Sequence, residues 1–158
     1  MRVADVMQRE VRCLSPRMRV ADLDDWLLEK RVSGAPVVEG DRVVGIVSRS
    51  DVVRQLVVET TLAQSAADAL HGGGEADPGQ IEARVADAVA RRWRTLRVED
   101  VMIRDVVAVA PDASLEEAAR TMLAKRIHRL LVLDGGRLVG LVSSLDLVRI
   151  FAPGSPPA

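Results

Sequence analysis

Gly45-Ile46-Val47-Ser48-Arg49-Ser50-Asp51 has a second copy in this chain, Gly140-Leu141-Val142-Ser143-Ser144-Leu145-Asp146. Each copy reads as the end of an apolar strand, then a hydroxyl, then a carboxylate three residues on, where a helix should begin. Two readings of this turn stand side by side. Ser-x-x-Asp ahead of an apolar run is close to a capping box, which satisfies backbone N–H groups that have no partner in a helix's first turn. The same hydroxyl and carboxylate also suit a nucleotide held at a strand-to-helix turn.

The duplication extends well beyond the turn. At one constant offset, Val3-Ala4-Asp5-Val6-Met7 becomes Val98-Glu99-Asp100-Val101-Met102, Pro16 becomes Pro111, and Lys30-Arg31 becomes Lys125-Arg126. The same offset carries Val37 to Val132, Gly40 to Gly135, Arg42 to Arg137, Val44-Gly45 to Val139-Gly140 and Val53-Arg54 to Val148-Arg149. No gap is needed between residues 2 and 54, so the chain is a tandem duplication with an insertion between its copies.

Periodicity predicts the elements of one copy. Val11 to Leu14 is a short β-rich run closed by Pro16, and Val20, Leu23, Leu27, Leu28 and Val32 recur at helical spacing. In the second copy Ser114-Leu115-Glu116-Glu117 opens the equivalent helix with a capping box; the first copy has Arg19 there, so its helix start should be less well fixed. Residues 35–39 and 42–47 read as strands joined at Gly40-Asp41, and Gly135-Gly136 takes the same role in the second copy. One copy is therefore strand, helix, strand, strand, helix over about fifty residues, too few to bury a core well alone. The expected fold class is α/β, with two β-α-β-β-α repeats packed as a pseudo-twofold pair.

Val52, Leu56, Val58, Leu62, Ala66 and Leu70 carry the second helix of copy one on for several turns, until His71-Gly72-Gly73-Gly74. A polar loop at 75–80 follows, then a helix with Ile81, Val85, Val89 and Trp93 on one face. Together they form a helical insertion expected to pack on the module or on a partner subunit. Arg91, Arg92, Arg94 and Arg97 cluster near its end, where cations complement the helix dipole; a phosphate or acidic partner is the alternative. The expected organisation is a first repeat with its extended helix over 1–70, loop and inserted helix over 71–96, a second repeat over 97–152 and a disordered tail over 153–158.

Composition excludes several functions. With 48% hydrophobic and 28% charged residues and a net charge of −1, the 158-residue chain has a soluble globular make-up and no field to draw it onto nucleic acid or an anionic membrane. No apolar run approaches the ~20 residues needed to cross a bilayer, and the N-terminus lacks a signal-peptide core. Cys13 is the single cysteine, so no internal disulfide forms and a cytoplasmic setting is expected. Trp26, Trp93 and Phe151 are too few for the stacking platforms of single-strand binders. His71, His128 and Cys13 lie far apart, without metal-ligand spacing, and neither a G-x-S-x-G elbow nor a GxxxxGK[ST] loop is present. No metal, no cofactor and no enzymatic activity are expected.

With the repeat, the leading Asp-Val-Met, the hairpin and the Gly-x-x-Ser-x-x-Asp turn in order within each copy, the chain resembles a pair of CBS domains, a Bateman module, over residues 2–54 and 97–149. The resemblance implies a non-catalytic regulatory module that binds AMP, ADP, ATP or S-adenosylmethionine in the cleft between its repeats. It implies that Asp51 and Asp146 hold ribose hydroxyls and that Ser48, Arg49, Ser143, His128 and Arg129 approach phosphates. An adenine wall, largely backbone, maps to Val32, Ala35, Ile127 and Leu130, with Val11, Cys13 and Val106 as apolar lining. Helix starts suit this task, because their free N–H groups and positive dipole end favour an anion.

His128-Arg129-Leu130 is similar to the phosphate-contacting His-Arg-Leu stretches in the γ subunit of AMP-activated protein kinase; a strand-edge residue and a salt-bridge partner are the alternative roles of His128 and Arg129. Copy one has the uncharged Ser33-Gly34-Ala35-Pro36 instead. Leu131 stands where copy one has Pro36, and Ala110 where it has Ser15, which leaves open whether one cleft works or two. The resemblance further implies a homodimer and an effector domain on another protein. The competing reading is a dimerisation or scaffold module with vestigial pockets, in which both Ser-x-x-Asp turns are caps and nothing more.

Overall fold

The computed structural model describes residues 1–71 and 77–151; the expected tail at 153–158 and residues 72–76 of the expected glycine stop and loop lie outside them. In the first copy, α1 (Val20–Glu29) leads to a hairpin of β1 (Gly34–Glu39) and β2 (Arg42–Ser48), then to α2 (Arg49–His71). After α3 (Pro78–Thr95) and the short α4 (Val98–Val101), the second copy supplies β3 (Ala108–Val109), α5 (Leu115–Lys125), β4 (Arg129–Asp134), β5 (Arg137–Ser143) and α6 (Ser144–Arg149). The α/β class is as expected. The strands run in the order β1-β2-β5-β4-β3, and the two hairpins join through a single register pair, Arg42 with Arg137. Among the described residues, no helix is long and apolar enough to cross a membrane.

Local chemistry explains most of these elements. The hairpin turns place Gly40, Gly135 and Gly136 at positive φ, where an L side chain is strained. The Ser114 hydroxyl accepts from the Glu117 amide at 3.1 Å and caps α5. Arg19 makes no such bond at the start of α1 and instead pairs with Asp22 at 2.8 Å, on the surface. Two expectations need correcting. The strand over Val11–Leu14 reduces to a bridge in which Leu14 donates to Pro36 O and accepts from the Val38 amide. Pro78-Gly79, expected within a loop, instead opens α3. Asp77 caps that helix by accepting from the Gly79 amide, and a proline in the first turn gives up only an N–H that has no helical partner there.

The cores are exchanged between copies. Val3 and Met7 are buried with Val109, Ala118, Met122, Leu130, Val132 and Val142 of the second repeat. Val98 and Met102 are buried with Leu14, Leu23, Leu27, Ala35, Val37 and Val47 of the first. Backbone bonds fasten each exchange: Gln8 and Leu141 bond reciprocally at 2.8 and 2.9 Å, as do Ile103 and Ile46. This is why the repeated turn begins with glycine. A Cβ on Gly45 would lie 2.7 Å from Met102 Sδ and 2.9 Å from Ile103 O, and one on Gly140 would lie 2.6 Å from Met7 Sδ and 3.0 Å from Gln8 O.

In the insertion, Val85, Val89 and Trp93 of α3 face Leu56, Thr60 and Ala63 of α2 across an open groove of about 570 Å³. The side chains of Leu70 and Ile81, expected in the same stripes, lie outside the description. Three members of the arginine cluster are held by the protein's own groups: Arg91 pairs with Asp87, Arg92 lies 3.5 Å from Glu59, and Arg97 donates to Arg17 O.

Candidate functional site

β2 and β5 each end on a serine and hand over directly to a helix. The Ser48 amide and hydroxyl both donate to Asp51 Oδ2, at 2.8 and 2.7 Å. Ser143 does the same to Asp146 Oδ2, at 2.8 and 2.6 Å, and its hydroxyl oxygen also accepts from the Asp146 amide at 3.2 Å. Asp51 and Asp146, 5% and 6% exposed, are the buried charged side chains among the described residues. Burial of a charge is tolerated when it is hydrogen-bonded, and none of the described buried side-chain polar atoms lacks a partner.

The connectors ahead of β1 and β4 bring the two turns together. In sheet register Gly34 pairs with Ser48, and Arg129 pairs with Ser143. The Arg49 amide donates to Ser33 O at 3.2 Å, and the Ser144 amide donates to His128 O at 2.9 Å. Arg129 closes the gap between repeats: its Nη1 donates to Ser33 Oγ at 3.0 Å. The backbone of Arg129 thus lies beside the second turn while its guanidinium ends beside the first. Among the described residues no carboxylate pairs with it.

The other residues singled out from the sequence divide into groups. Arg49 is engaged by Asp24 of α1 at 2.8 Å, and His128 is exposed. Ala35 and Leu130 bury their side chains in the two cores, so those positions offer a ligand only backbone, while Val32 and Ile127 pack on the core margins. Val106 is half-buried. Val11 and Cys13 line a cavity of about 220 Å³ at the hairpin tip with Arg9, Asp41 and Arg137; Ser48 and Asp51 do not line it. Burial pushes the Cys13 thiol up from its ordinary pKa. No group of three metal-ligating side chains occurs among the described residues.

Two residues at the turns were assigned no role from the sequence. Arg54 Nη1 donates to Asp51 Oδ1 at 2.9 Å, and Arg149 Nη1 donates to Asp146 Oδ1 at 3.3 Å. Their side chains are 65% and 26% exposed. A signal for them existed: in both copies an arginine follows the aspartate by three residues, about one helical turn, where side chains meet.

The family model for the CBS domain matches residues 3–58 and 98–153, spans that contain both turns and both exchanged segments. The chain belongs to the CBS-domain family. This CBS pair is similar to CBSX2 solved in complex with AMP, with a TM-score of 0.68 and 25% identity over 96% of each chain. The chloroplastic CBSX2 of Arabidopsis thaliana is 27% identical over 93% of this chain and 62% of its own length. The CBS domain pair of protein MJ0100, solved with 5′-methylthioadenosine and S-adenosyl-L-methionine, shares the fold, with a TM-score of 0.64 and 20% identity over 98% of each chain. Protein MJ1225 of Methanocaldococcus jannaschii also shares it, with a TM-score of 0.72 and 22% identity over 95% of this chain and 47% of that one. The chain spans only 42% and 41% of the length of the curated relatives MJ1225 and MJ1232.

Proposed function

We propose that this CBS pair is a non-catalytic regulatory module that binds adenosine nucleotides between its repeats. The observation that carries this reading is a pair of buried, helix-opening carboxylates whose neighbouring segments are bridged by Arg129 and Ser33. Support comes from CBSX2, which has the same fold and was solved with AMP. In this reading ribose hydroxyls donate to Asp51 and Asp146, and phosphates lie toward Arg129, Ser48, Ser143 and His128. Adenine rests on backbone at 32–36 and 127–131. Arg49 is left out of this reading, since its guanidinium is taken by Asp24 and its amide by Ser33 O.

Hydrogen bonds to a charged group are worth about 1.5–3 kcal/mol, so Asp51→Ala or Asp146→Ala weakens AMP or ATP about 10- to 100-fold in calorimetry. Unaltered affinity in the double variant overturns the site. A ligand biases a partner or an assembly only through unequal affinity for its two states. The assembly proposed is a homodimer in the cytoplasm, acting on an effector protein. Val53 and Leu56, with their repeat counterparts Val148 and Phe151, leave an exposed apolar face for a second copy to cover. Light scattering at twice the chain mass checks it.

One observation favours a second reading. The Ser143–Asp146 capping box is complete in itself, as a scaffold module with vestigial pockets requires. That reading predicts no thermal shift with any adenosine ligand at millimolar concentration.

A further inference from the structure

The inference below rests on the nucleotide reading of the two turns and adds what selects the ligand. A carboxylate offers about four lone-pair sites, two on each oxygen. On Asp51, Oδ2 takes the Ser48 amide and hydroxyl, and Oδ1 takes Arg54. Asp146 is occupied in the same pattern by Ser143 and Arg149. One lone pair is therefore left on each Oδ1, while the two hydroxyls of a cis-diol need two acceptors. A ribose that engages both hydroxyls must displace a donor. The serine bonds close the helix caps, whereas the Arg54 side chain is 65% exposed and turns away at little cost; Arg149 is only 26% exposed but holds the longer bond, 3.3 Å.

We propose that Arg54 and Arg149 make these sites select phosphorylated adenosine over S-adenosylmethionine. Each guanidinium yields its carboxylate oxygen to the ribose and turns to the phosphoryl charge carried on the same sugar. The charges around the turns support this choice. Asp51 and Asp146 are each balanced by one of these arginines, and Arg49 is balanced by Asp24. Arg129 has no carboxylate partner among the described residues, so the turns together carry an excess of positive charge. A phosphate relieves that excess through charge-assisted hydrogen bonds. S-adenosylmethionine puts a sulfonium on the 5′ carbon where a nucleotide carries its phosphate, and its single carboxylate lies further out and is offset by its own ammonium.

Calorimetric affinities of AMP, adenosine and S-adenosylmethionine for the full chain and its Arg54→Ala/Arg149→Ala variant test this. The expected result is a wild-type preference for AMP over S-adenosylmethionine of at least about tenfold, falling about tenfold in the variant. Adenosine binding tightens there, because its competitor is gone. Lysine at both positions restores the preference. An unchanged ratio, or a common factor of loss for all three ligands, overturns the role given to the arginines. Arg54→Gln/Arg149→Gln, which keeps the stems, reads the same ratio if the alanines unfold the caps. Asp51→Ala/Asp146→Ala separates the two levels of the reading. If it binds all three ligands like the wild type, the ribose assignment itself fails; if it loses them while the arginine variant keeps its ratio, only the present inference fails. Absence of binding by every ligand to the wild type overturns both.

Discussion

The two Ser-x-x-Asp turns share sequence, register and burial, yet the connectors beside them have diverged. Ser33-Gly34 leads into β1; in the same places, His128-Arg129 leads into β4, with Gly34 and Arg129 as the first residues of those strands. A Cβ at position 34 would lie 2.8 Å from Val47 O and 3.0 Å from Ser48 Cβ, so the first copy has no room for an arginine there. With glycine at position 34, Arg129 reaches across and bonds Ser33. The duplicated frame, with its caps, glycines and exchanged methionines, stays nearly symmetric, while the centre is joined by a contact that symmetry would forbid. Divergence at one residue pair is what allows the turns to share a cation.

The largest expected effect tests the symmetric frame. Met7→Ala and Met102→Ala each remove a buried side chain from the core of the opposite repeat and should each cost about 2–5 kcal/mol in denaturant unfolding, through one common transition. Two separate transitions would break the picture of exchanged cores. Next come Gly45→Ala and Gly140→Ala. Their new methyl groups meet a methionine sulfur and a backbone oxygen, and overpacking of this kind costs about 1–3 kcal/mol, alike in both copies. A cap is smaller still and should separate the copies. Ser143→Ala should cost about 0.5–2 kcal/mol, and more than Ser48→Ala, because only Ser143 Oγ also accepts the aspartate amide. Equal losses would make the two turns equivalent. The smallest change has the opposite sign. Arg31 and Arg126 end their helices at φ 54°, a left-handed conformation that costs a side-chain residue about 1 kcal/mol, so glycine at either place should raise the melting temperature slightly.

Elements with local signals could be read directly. The hairpin glycines, the Ser114 cap, the helical stripe from Val20 and the two turns each depend on residues within a few positions of one another. The exchange of Val3–Met7 and Val98–Met102 was not legible, for a specific reason. Both copies present the same motif to nearly the same surface, so nothing in either stretch distinguishes packing on its own repeat from packing on the other. Arg49 illustrates the same limit at the site: its partner Asp24 lies on a different helix, and charge alone did not name it. Arg54 and Arg149 were visible as a repeated residue, but their bond to the aspartates depends on which helical face is buried. The strand expected at Val11 failed because its pairing stops at Leu14, and no local propensity sets where a ladder ends.

The glycine–methionine contacts also govern when this chain can fold. Gln8 waits for Leu141, and Ile46 waits for Ile103. During synthesis the first repeat has no complete interior until Met102 has emerged; the Val3 and Ala4 amides wait for Ala113 and Pro111, and Gln8 waits for β5. Closing such distant contacts carries a large entropic cost before any contact rewards it, which slows folding. Neither repeat is an early foldon that could template the other. The chain should therefore condense late and as one unit, with the apolar surfaces of both halves exposed to misassociation until the last strand is in place.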